Sequence, residues 1–143
     1  MKKKTITLIG GSGFLAKFCI SELLKDGHNV KVVCRNPHQA GNLRMMGTID
    51  QLDIYSGNII NKDSIEPFIR NSNIIINLVG ILFEKRGGNT FYNIHTLFPS
   101  ILSKLSKEYK LKNFIHISAL GINEATDSEY ARSKLEGEKE IIK

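Results

Sequence analysis

Apolar positions along this chain fall into short β-branched runs separated by stretches with helical spacing. The first run, residues 5–9, stops at glycines. After it Phe14, Leu15, Phe18, Cys19 and Leu23 recur on one helical face, predicting an amphipathic helix that ends at Gly27. Residues 30–34 predict a second strand, closed by a turn at Arg35-Asn36-Pro37 and followed by a short helical stretch before Gly47. A third strand is expected over residues 52–55 and a short helix over 63–70. Residues 74–79 are almost continuously apolar, the pattern of a strand covered on both faces, which places it centrally. Ile94, Phe98, Ile101, Leu102, Leu105 and Tyr109 return to helical spacing, and Pro99 inside that pattern predicts a kink or a late start. Residues 113–118 predict a fifth strand, and the Glu, Lys and Ala residues after Tyr130 a last helix.

Strands alternating with helices imply βαβ units around a parallel sheet. Right-handed crossovers then give the strand order 3-2-1-4-5, a Rossmann-like doubly wound α/β fold forming a single domain over residues 1–143.

Composition narrows the class. Of 143 residues, 41% are hydrophobic and 24% charged, which excludes a disordered chain and permits a core without metals or disulfides. Cys19 and Cys34 form no metal or disulfide pattern, so a reducing, cytoplasmic setting is expected and no metal site. No apolar run approaches the roughly 20 residues of a membrane span, and residues 5–9 are too short for the apolar region of a signal peptide. The net charge of +6 is local: residues 1–50 carry eight basic against three acidic side chains, the remainder twelve against eleven. Residues 27–49 contain no acid but hold Lys31, Arg35 and Arg44, a setting for a compact anion. Without aromatic side chains interleaved as a stacking platform, nucleic-acid binding is not expected.

Gly11-Ser12-Gly13-Phe14-Leu15-Ala16 matches G-x-G-x-x-[G/A] between a predicted strand and a predicted helix. Glycines there allow a tight turn and close approach of the backbone to a pyrophosphate, and the helix N-terminus supplies free N–H groups. The motif predicts a nicotinamide dinucleotide. About twenty residues on, where NAD-selective sites carry an acid for the ribose 2′-hydroxyl, this chain has Val33-Cys34-Arg35-Asn36. A guanidinium favours a 2′-phosphate, so NADP(H) is expected over NAD(H), led by Arg35.

Tyr130 and Lys134, four residues apart on a predicted helix, share one face. An ammonium beside a phenol stabilises the phenolate and so equips Tyr130 for proton transfer, with Ser118 upstream to hold a substrate oxygen. His28, His38, His95 and His116 lack metal-site spacing and are read as surface or packing residues; Asn93 is either a polar residue near the site or a solvated helix side chain.

Taken together, Gly10-Gly11-Ser12-Gly13-Phe14, the strand end Asn77-Leu78-Val79-Gly80-Ile81-Leu82, the segment from His116 to Gly121 and the helix from Tyr130 to Glu138 resemble the atypical, extended short-chain dehydrogenase/reductases, labelled NAD-dependent epimerase/dehydratase. More narrowly, they resemble bacterial relatives of the NADPH-binding accessory subunit of respiratory complex I. The resemblance implies that Gly10, Gly11, Ser12, Gly13, Phe14 and Leu15 surround the pyrophosphate, that Asn58 lies by the adenine, and that Asn77, Val79 and Gly80 line the cofactor. It implies further that Lys134 bonds the nicotinamide ribose, Tyr130 transfers the proton and Ser118 orients the substrate. The family often has Asp at the place of Asn58 and glycine at that of Ala16. It also continues beyond the Tyr/Lys helix into a substrate-binding region, so the chain is expected to be C-terminally truncated, carrying the cofactor half and the catalytic pair. Hydride transfer at an oxygen-bearing carbon would then need that region. The alternative is a non-catalytic cofactor-binding module linked to complex I or quinone metabolism, peripheral at the inner membrane. In either case a respiratory complex or a second chain would cover the open sheet edge.

Overall fold

The computed structural model describes residues 2–143. Five parallel strands, β1 (Thr5–Ile9), β2 (Asn29–Cys34), β3 (Leu52–Ser56), β4 (Ile74–Asn77) and β5 (Asn113–His116), form one sheet in the order β3-β2-β1-β4-β5. Four α-helices connect or follow them: α1 (Phe14–Lys25), α2 (Lys62–Arg70), α3 (Phe98–Glu108) and α4 (Glu129–Ile142). Between β2 and β3 the chain makes 3-10 turns over Pro37–Met45, the short helical stretch expected there. The doubly wound order predicted from the alternation of periods is the order observed.

One face of the sheet packs Ile6, Leu8, Val30, Val32 and Ile76 against Ala16, Ile20 and Leu24 of α1. The other packs Ile9, Val33 and Ile75 against Ile65 and Ile69 of α2 and Phe98, Leu102 and Leu105 of α3. The α1 stripe therefore differs from the one read in the sequence: Ala16, Ile20 and Leu24 face the sheet, whereas Phe14 and Phe18 are 81% and 58% exposed and stack edge to face with ring centres 5.2 Å apart. β4 and β5 also end two residues earlier than expected, at Asn77 and His116. Single bonds, Leu78 N–H to Ile9 O and Ile117 N–H to Asn77 O, continue the ladder before the chains diverge.

Pro99 acts as the sequence suggests, with a specific geometry. Lacking an N–H, it cannot bond the carbonyl of His95 four residues back. The preceding turn, Tyr92–Leu97, widens into a π-helix in which Phe98 N–H reaches Asn93 O, and regular α-helix starts only at Phe98. The freed His95 carbonyl faces α4 at Gly137, where a methyl group would lie 1.8 Å from the oxygen. Glycine at 137 is what lets α4 seat against the widened turn.

Candidate dinucleotide site

Where β1 ends, Gly10 adopts φ +91°, and a methyl group there would lie 3.1 Å from the Leu78 carbonyl carbon and the Val79 nitrogen. At Gly11 a methyl group would lie 1.9 Å from Val32 Cγ1. These two positions bend the chain over the sheet and bring bare backbone to the mouth between β1 and β4. The bend is held by Gly10 N–H to Val33 O, 3.0 Å, and Gly13 N–H to Gly10 O, 3.2 Å.

α1 then begins at Gly13 with no side-chain cap and no acid in its first turn. In α2 and α4, by contrast, Asn61 and Ser128 accept N–H bonds from Asp63 and Ala131. An uncapped N-terminus behind a glycine bend leaves donors and a partial positive charge for an anion. The residues present fit a dinucleotide pyrophosphate.

The groove above this bend is lined by Gly10, Ser12 and Gly13, by Cys34 and Arg35 from the end of β2, by Ile59 after β3, and by Val79, Gly80 and Ile81 after β4. Of the positions expected to touch the cofactor, Gly10, Ser12, Gly13, Arg35, Val79 and Gly80 thus gather at one groove. Gly11 lies buried beneath it, while Phe14 and Leu15 turn outward on α1. Asn58 is exposed in the turn after β3, where its Oδ1 accepts Ile60 N–H at 3.1 Å, and its neighbour Ile59 lines the groove in its place.

Asn77 lies under the groove, 0% exposed. Its Oδ1 accepts Val79 N–H at 3.1 Å, which turns its amide toward His116 Nδ1 at 3.0 Å. His116 must accept that bond and so carries its proton on Nε2, a buried atom without a partner among the described residues, as is Ser118 Oγ. Beside them Lys134 Nζ donates to Ile117 O at 3.2 Å and would sit 3.4 Å from a methyl group on Gly80. Lys134 is only 4% exposed, and burial pushes its pKa down, with Glu138 opposing. Tyr130, one turn earlier on α4, packs edge-on against the rings of His95 and Phe91, with centroids 5.2 and 6.0 Å away.

His95 completes the cluster from the π-helical turn and is 1% exposed. Its Nε2 accepts Ile81 N–H at 3.0 Å, and its Nδ1 lies 2.8 Å from Ser133 Oγ. Because the serine hydroxyl donates to Tyr130 O, the imidazole donates to the serine and is neutral. Burial first, then the Lys134 charge, pushes His95 and His116 each down to about 4. Sequence spacing passed over both histidines, because a search for metal ligands does not reveal a neutral imidazole tying a loop to a helix. The signal available was the proline four residues after His95.

Fold and groove together define a Rossmann-type domain built to hold a nicotinamide dinucleotide at the carboxyl ends of its strands. The chain belongs to the NAD(P)H-binding family, whose pattern matches residues 10–142. It is 33% identical over 136 residues to mouse (Mus musculus) "NADH dehydrogenase [ubiquinone] 1 alpha subcomplex subunit 9, mitochondrial", a match covering 94% of this chain and 36% of that protein. A "putative NAD-dependent epimerase/dehydratase" from Bacillus halodurans superposes with a TM-score of 0.80 at 20% identity, covering 96% of this chain and 64% of that one. A Bacillus cereus UDP-glucuronic acid 4-epimerase solved with NAD gives 0.78 at 20% identity, covering 95% of this chain and 50% of that one. The chain spans about a third of the length of the curated relatives it matches.

Proposed function

We propose that this chain binds NADP(H) in preference to NAD(H) and forms the cofactor half of a short-chain dehydrogenase/reductase-like oxidoreductase. The observation that carries this reading is the convergence on one groove of the uncapped glycine bend at Gly10 to Gly13, the Arg35 guanidinium after β2 and the Lys134 ammonium behind Gly80. When bound, the nicotinamide supplies or accepts hydride. The amides of the bend hold the pyrophosphate, and Arg35 selects the 2′-phosphate through charge-assisted bonds. Lys134 holds the nicotinamide ribose and favours negative charge near Tyr130, whose hydroxyl moves a proton to or from the oxygen on the substrate carbon that exchanges hydride with the nicotinamide. Ser118 Oγ, buried and without a partner among the described residues, orients that oxygen.

Calorimetry with NADPH and NADH on wild type and Arg35→Ala tests the selectivity: NADPH binds more tightly than NADH, and the variant loses most of the difference. Equal affinities in wild type overturn it. Tyr130→Phe tests the chemistry, abolishing turnover with an active carbonyl substrate while coenzyme affinity stays within about threefold.

A second reading is favoured by the relatives whose names place them in a ubiquinone-linked NADH dehydrogenase. In it the domain holds the nucleotide as a structural part of a respiratory assembly, and β5, one of the two edge strands of the sheet, takes up further polypeptide or a second chain. Slow coenzyme exchange, no turnover across a carbonyl panel and co-purification with membrane complexes would select this reading over the first.

A further inference from the structure

We propose that a hairpin after β4, residues 84–89, sets 2′-phosphate selectivity together with β2. Asn89 acts as the positioning residue for Arg35, and Lys85 is a second cation for the phosphate. This inference rests on the NADP(H) reading and names partners that reading does not contain.

Arg35 is exposed at the end of β2, where a free guanidinium would sample many rotamers. Instead its Nη1 donates to Asn89 Oδ1 at 2.7 Å, across 54 residues of sequence. Asn89 is itself held firmly. Lys85 N–H bonds Asn89 O at 2.9 Å, closing a bridge between residues 85 and 89, and Gly87 and Gly88 at φ +79° and +84° make the reversal possible. Asn93, on the π-helical turn, clamps the hairpin by donating from Nδ2 to Gly88 O at 2.9 Å. On the far side the Glu84 carboxylate accepts Phe91 N–H at 2.6 Å. The hairpin is therefore braced on both sides by the segment that also presents His95.

This anchoring fixes one arm of the guanidinium fork and leaves its other N–H groups without a partner among the described residues. A neutral amide oxygen does so without cancelling the charge, as a carboxylate at 89 would. Arg35, Lys85 and Asn89 line the same recess, and the Lys85 ammonium is steadied 5.0 Å above the Phe83 ring. Two cations facing one recess beside the ribose end of the groove match the near-double negative charge of a phosphate monoester. An unphosphorylated ribose gains nothing from either. Pre-orientation matters because an arginine loses rotamer entropy when ordered on a ligand, and ordering it beforehand moves that cost out of the binding step.

The test is titration of wild type, Asn89→Ala, Asn89→Asp and Lys85→Ala with NADPH and NADH, followed by Asn89→Ala in an Arg35→Ala background. The ratio of NADPH to NADH affinity is expected to fall about fivefold in Asn89→Ala and about threefold in Lys85→Ala. Asn89→Asp should lower it further, because a carboxylate competes for the guanidinium. In the Arg35→Ala background Asn89→Ala should change the ratio by less than twofold, since the two residues act through one contact. Retained NADH binding reports intact folding in each variant. If wild type prefers NADPH and loses that preference in Arg35→Ala but keeps it in both Asn89→Ala and Lys85→Ala, this inference fails and the reading beneath it stands. If wild type shows no preference, both fail.

Discussion

Lowering the pH from 7 to 5 should strongly destabilise this domain through its two buried imidazoles. His95 is neutral because its Nδ1 donates to Ser133 and its Nε2 accepts Ile81 N–H, so a second proton would displace the Ile81 bond inside a closed cluster beside the Lys134 ammonium. His116 is similarly committed by Asn77. Each folded-state pKa lies near 4, against 6.5 for a free imidazole. The folded values are depressed, so the unfolded chain takes up protons first. The stability is fully present above 6.5, is lost as pH falls toward 4, and does not fall further from these groups below that. At about 1.4 kcal/mol per pH unit per site, with allowance for partial titration at the upper end, each histidine removes about 2 kcal/mol between pH 7 and 5. Together they remove about 4 kcal/mol, a large share of the 5–15 kcal/mol typical of a domain. Urea denaturation at half-unit pH steps would show this as a steep decline across pH 6.5 to 5, and His95→Gln would halve the slope. Imidazole proton resonances give the microscopic values directly. A midpoint near 6.5 for His95 in the folded protein, or parallel declines for wild type and His95→Gln, would refute the assignment of both tautomer and burial.

Three substitutions probe the architecture. Gly11→Ala drives a methyl group to 1.9 Å from Val32 Cγ1, so the glycine bend must shift; a loss of about 1–3 kcal/mol in denaturation and a fall of at least tenfold in coenzyme affinity are expected, and unchanged affinity would count against the bend as a pyrophosphate cradle. Gly137→Ala meets the His95 carbonyl at 1.8 Å, a backbone atom that cannot swing aside, so α4 must lift from the widened turn; a thermal scan should show a drop of at least about 6 °C, corresponding to roughly 2 kcal/mol. Asn77→Leu keeps the branched shape but strips Val79 N–H and His116 Nδ1 of their partner, and should cost about 2–4 kcal/mol; a stability unchanged within error would show that the side chain is not the strut between β4 and β5.

The fold was legible because its signals repeat: β1, β2 and β4 are β-branched runs, most crossovers carry a helical period, and the glycine bend falls where the two meet. What was not legible lay where one signal had two meanings. On α1, apolar residues occupy most of the circumference, so periodicity could not distinguish the sheet-facing arc Ala16, Ile20 and Leu24 from the outward pair Phe14 and Phe18. The small side chain at 16, which the motif requires so that helix can pack on sheet, is the better pointer, and it is fully buried against the sheet. The ends of β4 and β5 were overrun for a related reason: Leu78, Val79, Ile117 and Ser118 continue a strand-like pattern, but there the backbone diverges to open the groove. The hairpin over residues 84–89 has no period at all. It is built from single bonds of Glu84, Asn89 and Asn93, which become meaningful only once β4 and the π-helical turn are side by side.

The buried cluster behind Gly80 makes sense as an arrangement for keeping a single charge. His95, His116 and Lys134 lie close enough that each imidazole feels the ammonium, and all three are desolvated, so three positive charges there would repel at low dielectric. Something must be neutral, and hydrogen bonding decides which. Both imidazoles use a ring nitrogen to accept a bond, from Ile81 N–H or from Asn77 Nδ2, which the cationic form could not do. Lys134, in contrast, donates to a carbonyl, a bond its charged form makes more strongly, and Glu138 favours that form as well. As pH falls from the alkaline side, Lys134 therefore protonates first, and burial, reinforced by its charge, keeps the imidazoles neutral until far below their usual range. The effect is to confine positive potential to Lys134, whose Nζ approaches Gly80 from beneath the groove, while the two histidines serve as dipolar struts between β4, β5, the π-helical turn and α4.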